Sequence, residues 1–170
     1  MKDFFLRNYR SVDGTKNYLA EEVGIYQSSY SSQVIQRHPA ILCVDDEPSI
    51  LESLKMILEI KDYEVHTALD GYSALNLIDQ NKGHYDVIIT GYKMPGMDGI
   101  ELLRKIKSKY PDIPIAIVSA YYTELFRQTV INSGGFMYLR KPFLMEEIYD
   151  LVNKGIKLRE EAKNKNAKST

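Results

Sequence analysis

The sequence predicts a doubly wound α/β domain, and three observations carry that prediction. From Pro39 onward, short apolar runs rich in β-branched residues alternate with longer stretches of helical period, the pattern of a parallel sheet covered by helices on both faces. The 170 residues, 44% of them hydrophobic, suit one globular domain with tails. Polar residues also collect just after the apolar runs, at the expected carboxyl ends of the strands, where open parallel sheets place their ligand sites.

Five runs are expected as strands: Ala40 to Val44, Tyr63 to Ala68, Tyr85 to Thr90, Ile113 to Val118 and Phe136 to Leu139. Between the first two lie Ile50, Leu51, Leu54, Ile57 and Leu58. Ala74, Leu75, Leu77 and Ile78 follow the second strand, and Ile100, Leu102, Leu103 and Ile106 follow the third. Each set recurs at helical spacing and predicts one covering helix. A fourth helix is expected from about Tyr121 to Ser133, stopped by Gly134 and Gly135, and a fifth from about Leu144 to Arg159. The result is a (βα)5 order over residues 39–159.

Residues 1–38 stand outside this alternation. Tyr18 or Leu19, Val23, Tyr26, Tyr30 and Val34 recur at steps of three or four and predict an amphipathic helix, against which Gly24 and the serines at 28, 29, 31 and 32 count. Two roles fit this extension: packing on its own domain, or serving as a dimer or partner helix. Residues 160–170, ending in a Lys- and Asn-rich run, are expected as a flexible, solvated tail.

A formal net charge of -1, with no concentrated basic stripe, gives no footprint for direct nucleic-acid binding or for an anionic membrane. No uncharged apolar stretch reaches membrane-spanning length, and the residues up to Arg10 carry no apolar run with a small-residue cleavage site, so a cytoplasmic protein without membrane insertion is expected. Cys43 sits among Ile41, Leu42 and Val44, which predicts a buried core thiol rather than a nucleophile. His38, His66 and His84 fall on separate elements with no ligand spacing.

The chemistry is expected at three strand ends. Asp45, Asp46 and Glu47 follow the first strand, with Pro48 opening the next helix. Adjacent carboxylates repel one another unless a cation stands between them, and Mg²⁺ is the natural oxygen-liganded counter-ion, although acidic residues also simply favour helix starts. Ser119 follows the fourth strand and Lys141 the fifth. An acid pair, a hydroxyl and a lysine can together hold a metal and a phosphoryl group.

These residues also carry a resemblance. Val44-Asp45-Asp46-Glu47-Pro48, Met94-Pro95-Gly96-Met97-Asp98-Gly99, Val118-Ser119-Ala120 and Lys141-Pro142-Phe143 resemble the receiver domain of two-component response regulators, as in the single-domain chemotaxis regulators, over about Pro39 to Arg159. The resemblance implies a flavodoxin-like sheet of order 2-1-3-4-5, with the Lys141-Pro142 peptide often cis. It implies Asp45 and Asp46 as Mg²⁺ acids, Lys93 as a backbone-carbonyl ligand, Ser119 as the switch hydroxyl, Lys141 as the phosphoryl-binding cation and Tyr138 as the switch aromatic. The family's phosphoacceptor aspartate lies three residues before the Met-Pro pair, and that position is Gly91.

Glycine offers no carboxylate to phosphorylate and removes the third metal acid. Neither neighbour is expected to substitute, since Thr90 should point to the opposite side of the strand and Tyr92 lies beyond its end. The Mg²⁺ site is then expected to be weak, and Lys141 is left to pair with Asp45 or Asp46 without a metal.

Two functions follow. One is a pseudo-receiver, not an enzyme, which binds a histidine kinase, a phosphotransfer protein, an output domain or its own copy through the fourth helix, fifth strand and fifth helix. Tyr122 is a candidate contact on that face. The other is an inactivated, Asp-to-Gly form of an ordinary phospho-accepting regulator, a receiver fragment of a longer one, or a chain in which another carboxylate such as Asp46 accepts phosphate. A transcription-factor reading would need a DNA-binding domain after the receiver.

Overall fold

The computed structural model describes residues 9–12, 15–18 and 38–168. It divides into two units, Met1–Arg37 and His38–Thr170, which are taken separately. In the first, β1 (Tyr9–Val12) and β2 (Thr15–Tyr18) pair antiparallel, with Tyr9 opposite Tyr18 and Val12 opposite Thr15. Tyr18, expected at the start of an amphipathic helix, is therefore in a strand. Asp13-Gly14 between the strands is the sequence signal of a two-residue hairpin connection, and it outweighs a helical period already diluted by glycine and serine. The rest of that expected helix, residues 19–37, lies outside the described residues.

The second unit runs β3 (Ala40–Val44), α1 (Pro48–Glu59), β4 (Glu64–Ala68), α2 (Gly71–Gln80), β5 (Val87–Gly91), α3 (Gly99–Lys109), β6 (Ile115–Ser119), α4 (Glu124–Asn132), β7 (Met137–Arg140) and α5 (Met145–Lys168). The five strands are parallel in the order β4-β3-β5-β6-β7, which is the expected 2-1-3-4-5. The core divides by strand alternation. Ala40, Leu42 and Val44 join one buried cluster with Ile88, Leu103 and Val130, while Ile41 and Cys43 join the other with Leu54, Val87 and Leu151. Cys43 is fully buried, and burial pushes its thiol up to about 12, as expected of a core cysteine.

Helix starts follow local chemistry. Asp70, Asp98 and Thr123 cap α2, α3 and α4 by accepting from the backbone N–H of Ser73, Glu101 and Phe126. Because Thr123 is that cap, Tyr121 and Tyr122 lie in the loop before α4 rather than in its first turn.

The flexible tail expected over residues 160–170 is overturned as far as Lys168, which continues α5. The physical reason is lateral anchoring. The Lys163 ammonium lies 3.0 Å from Asp86 Oδ1, and Asn166 Nδ2 donates to Asp112 Oδ2 at 2.8 Å, so the helix gains partners along the amino ends of the strands that its composition does not advertise. Among the described residues, no helix is long and apolar enough to cross a membrane.

Candidate functional site

The carboxyl ends of β3, β5, β6 and β7 bring the predicted residues to one rim. Asp45 directly follows β3, Gly91 ends β5, Ser119 ends β6, and Lys141 directly follows β7, with the cis Lys141-Pro142 peptide next along the chain. Asp46 and Lys93 are exposed on the outer side, where with Tyr92, Met94, Pro95 and Asp98 they line a shallow hollow of about 380 Å³.

Asp45 is the hub of the inner side. Its side chain is only 3% exposed; Oδ2 lies 2.7 Å from the Lys141 ammonium, and Oδ1 accepts the Glu47 N–H at 3.1 Å. Lys141 has a second partner in Glu47 Oε1 at 3.2 Å, on a mostly exposed side chain. Glu47 closes the Asp-Asp-Glu run in the sequence, but only the folded loop shows that its main chain and its side chain serve Asp45 and Lys141 respectively.

A glycine at the end of β5 has a direct spatial consequence. A Cβ built on Gly91 would stand 2.7 Å from Asp45 Oδ2, 3.3 Å from Asp45 Cγ and 3.6 Å from the Val44 carbonyl oxygen, so what lies in its way is the carboxylate of one side chain. Gly99 differs, because a Cβ there would meet the backbone carbonyl oxygen of Gly91, which cannot swing aside. Its amide donates to the Tyr92 carbonyl at 2.7 Å, closing the loop after β5.

Ser119 is buried, and its Oγ accepts the Tyr121 N–H at 3.1 Å. Tyr138 reaches under the same loop, with its hydroxyl 2.7 Å from the Tyr121 carbonyl oxygen and 3.1 Å from that of Ser119. Burial holds its phenol above the ordinary value, with Arg140 acting in the opposite sense. Thr90 is buried and donates its hydroxyl to the Gly91 carbonyl at 3.0 Å.

An aromatic cluster that sequence reasoning did not assemble adjoins the site. The Tyr92 ring packs on Phe126 at 4.3 Å between centroids, Phe126 meets Tyr138 edge-on at 5.6 Å, and Tyr138 lies 5.7 Å from Tyr122. Lys93 sits over the Tyr121 ring at 6.0 Å and Arg140 over that of Tyr122 at 5.9 Å. The members come from four separate segments and share no period, so no sequence signal short of the fold gathers them. Tyr122 and Leu125 leave apolar surface exposed beside α4.

Among the described residues no group of three or more His, Cys, Asp or Glu is placed to hold a metal. Of the two candidate acids, Asp45 has both oxygens engaged by an ammonium and an amide. An ion at Asp45 would compete with the Lys141 ammonium for Oδ2.

Comparison with known proteins accords with this geometry. Residues 41–153 match the family model of the response regulator receiver domain. The response regulator MprA of Mycobacterium sp. (strain KMS) is 37% identical over 108 residues, an alignment covering 64% of this chain and 46% of that protein, and the sensor kinase CckA of Brucella abortus is 31% identical over 112 residues, 66% of this chain and 12% of that protein. The chain thus spans about half the length of the MprA relatives it matches. Among solved structures, a response regulator receiver domain protein from Clostridium thermocellum superposes with a TM-score of 0.69 at 32% identity, covering 73% of this chain and 98% of that one. The Vibrio cholerae chemotaxis protein CheY4 gives 0.64 at 31% identity, covering 69% and 98%. The parallel sheet, the rim of Asp45, Ser119 and Lys141, and a family match over most of residues 38–168 place the chain in the response regulator receiver domain family.

Proposed function

We propose that this receiver acts by protein–protein contact and is not phosphorylated at the end of β5, because Gly91 stands where the family carries its acceptor aspartate. The observation behind this reading is the arrangement around residue 91. Asp45, Ser119 and Lys141 stand at the carboxyl ends of three strands, and residue 91, at the end of β5, has no nucleophile; this supports the reading. Partners would be a histidine kinase, a phosphotransfer protein, an output domain or a second copy, met through α4, β7 and α5, where Tyr122 and Leu125 expose apolar surface and Arg140 adds charge. A divalent cation would compete with the Lys141 ammonium for Asp45, so Mg²⁺ binding would be weak. The reading is of a cytoplasmic module without a reaction of its own.

A second reading, an inactivated form of a phospho-accepting regulator, draws on the same intact surroundings. One experiment separates them. Incubated with acetyl phosphate and Mg²⁺, the protein as it stands is expected to gain no phosphoryl group by intact-mass measurement, and label on any of its aspartates would overturn the proposal. Gly91→Asp is expected to gain one if only the nucleophile is missing, and none if the pocket has drifted further from phosphoryl transfer.

A further inference from the structure

We infer that α5 combines two parts in one helix: its first half is seated in the core, and the segment from Leu158 onward is a salt-sensitive strap, latched by polar contacts across the amino ends of β5 and β6 and able to lift as a unit while the rest of the domain stays folded. The strap lies at the end of the sheet opposite residue 91 and does not depend on what stands there.

One face of the helix carries both parts. Ile148, Val152, Gly155, Arg159, Lys163 and Asn166 recur at steps of three or four and so lie along a single stripe. Its early members sit against the sheet. Ile148 and Val152 are fully buried, and Gly155 brings the helix so close that a Cβ on it would stand 2.6 Å from Val87 Cγ2. The stripe then changes character: among the described residues, none from Lys157 to Ala167 is buried or joins either core cluster, and Leu158 is 43% exposed. What meets this part is polar. Arg159 Nη2 donates to the Gly83 carbonyl at 3.2 Å, the Lys163 ammonium lies 3.0 Å from Asp86 Oδ1, and Asn166 Nδ2 donates to Asp112 Oδ2 at 2.8 Å. These acceptors belong to the segments leading into β5 and β6, so the strap crosses the amino ends of both strands. Ion pairs with a half-exposed lysine weaken as salt rises, whereas the burial of Ile148 and Val152 is not weakened by screening. A second charge effect favours lifting. Burial holds the Lys107 ammonium on α3 below its ordinary value, with Asp112 acting against that shift and Arg159 with it. Seating the strap thus brings a guanidinium toward a poorly hydrated cation, and lifting it relieves that repulsion. A segment with few buried apolar contacts also belongs to the part of a domain that opens locally at least cost.

The test is amide hydrogen exchange, followed residue by residue by NMR on the whole chain, at low salt and in about 1 M sodium chloride, where the Debye length falls to about 3 Å. The amides of α3 serve as the internal reference. At low salt the amides from Leu158 to Asn166 are expected to exchange at one common rate, faster than those of residues 148–156, and high salt is expected to speed the strap several-fold while the other two sets keep their rates. Lys163→Gln changes a side chain that is 48% exposed, so the fold is retained. It is expected to speed every strap amide several-fold already at low salt, including those of Leu158 to Ala162 on the core side of the substitution, and to blunt the effect of salt. Asp86→Asn, which keeps an oxygen for the Ala40 N–H and loses the charge, is expected to give the same pattern. Acceleration confined to residues beyond 163 means that the helix only frays from its end, and overturns the inference. Strap rates indifferent to salt, or unchanged in Asp86→Asn, overturn it because the charged pair is then not the latch. Residues 148–156 accelerating together with the strap overturn it because α5 then opens as one piece.

Discussion

Asp45 after β3 and Asp86 before β5 are both buried aspartates that accept a backbone N–H and pair with a lysine, and they sit at opposite ends of one sheet. At the amino end, Asp86 Oδ2 accepts the Ala40 N–H at 3.0 Å and Oδ1 meets Lys163 at 3.0 Å, a lysine 48% exposed. At the carboxyl end, Asp45 meets a lysine only 15% exposed, with a glycine beside it where a side chain could stand. The first arrangement is a clamp: it ties the start of β3 to the start of β5 and holds the last turns of α5 against the domain. The second spans the carboxyl ends of β3 and β7, which are not neighbours in the sheet, across β5 and β6. A shielded pair that adds no strand pairing belongs to the pocket, and a half-exposed one that anchors backbone belongs to the fold.

The largest effect should come from the strand both ends share. Ile88 is fully buried in β5, between Asp86 and Gly91, and Ile88→Ala is expected to lower unfolding free energy by about 2–5 kcal/mol in a urea titration, as buried large-to-small changes do. A loss confined to a few tenths would mean that β5 is not the central strand of a common core, and the two ends would then have to be treated as independent.

Next comes the clamp itself. Asp86→Ala removes an acceptor from the buried start of β3 and is expected to cost about 1–3 kcal/mol, the penalty of an unsatisfied amide. Lys163→Ala should cost less than about 1 kcal/mol, because its ammonium is half exposed and already well solvated. Equal losses would show that the ion pair, rather than the backbone contact, is what matters at this end, and the contrast with Asp45 would have to be redrawn.

A further effect, smaller than that of Asp86→Ala, sharpens the comparison with a carboxylate that works without a lysine. Asp70 caps α2, and the Ser73 hydroxyl and N–H that donate to it hold its carboxyl below the ordinary aspartate value of 3.8. Asp70→Ala is expected to cost about 0.5–2 kcal/mol near neutral pH. A folded value below the unfolded one means that ionised Asp70 stabilises the native state: the contribution is complete above 3.8 and fades as the pH falls through the lower folded value. The gap between wild type and Asp70→Ala should therefore narrow in urea titrations carried to strongly acid pH, and a constant gap would show that the cap acts without its charge.

Most of the fold could be read without coordinates, because strand and helix placement depends on local period. The runs around Leu42, Ile88 and Ile117 had to be buried strands, and the glycines at 134 and 135 had to end a helix. The errors fell where a partner distant in sequence outweighed local preference. The Lys- and Asn-rich end looked solvated on composition, yet Lys163 and Asn166 find Asp86 and Asp112, residues far back along the chain. Tyr18 fitted a helical step but pairs with Tyr9 across a short hairpin.

The sequence by itself determined the type of domain, the family, and which side chains stand at the strand ends, since each of these depends on residue identity at a position along one element. It also determined that no carboxylate is present at residue 91. What only the tertiary structure decided is which of those side chains touch. Asp45 and Asp46 are adjacent in sequence and equivalent in chemistry, but β3 ends so that Asp45 turns inward to Lys141 while Asp46 stays in solvent. Gly91 and Gly99 are both small, but the first lies against the tip of a movable carboxylate and the second against a fixed carbonyl. Contact depends on distances between elements that the chain brings together from nearly a hundred residues apart, and no local period encodes them.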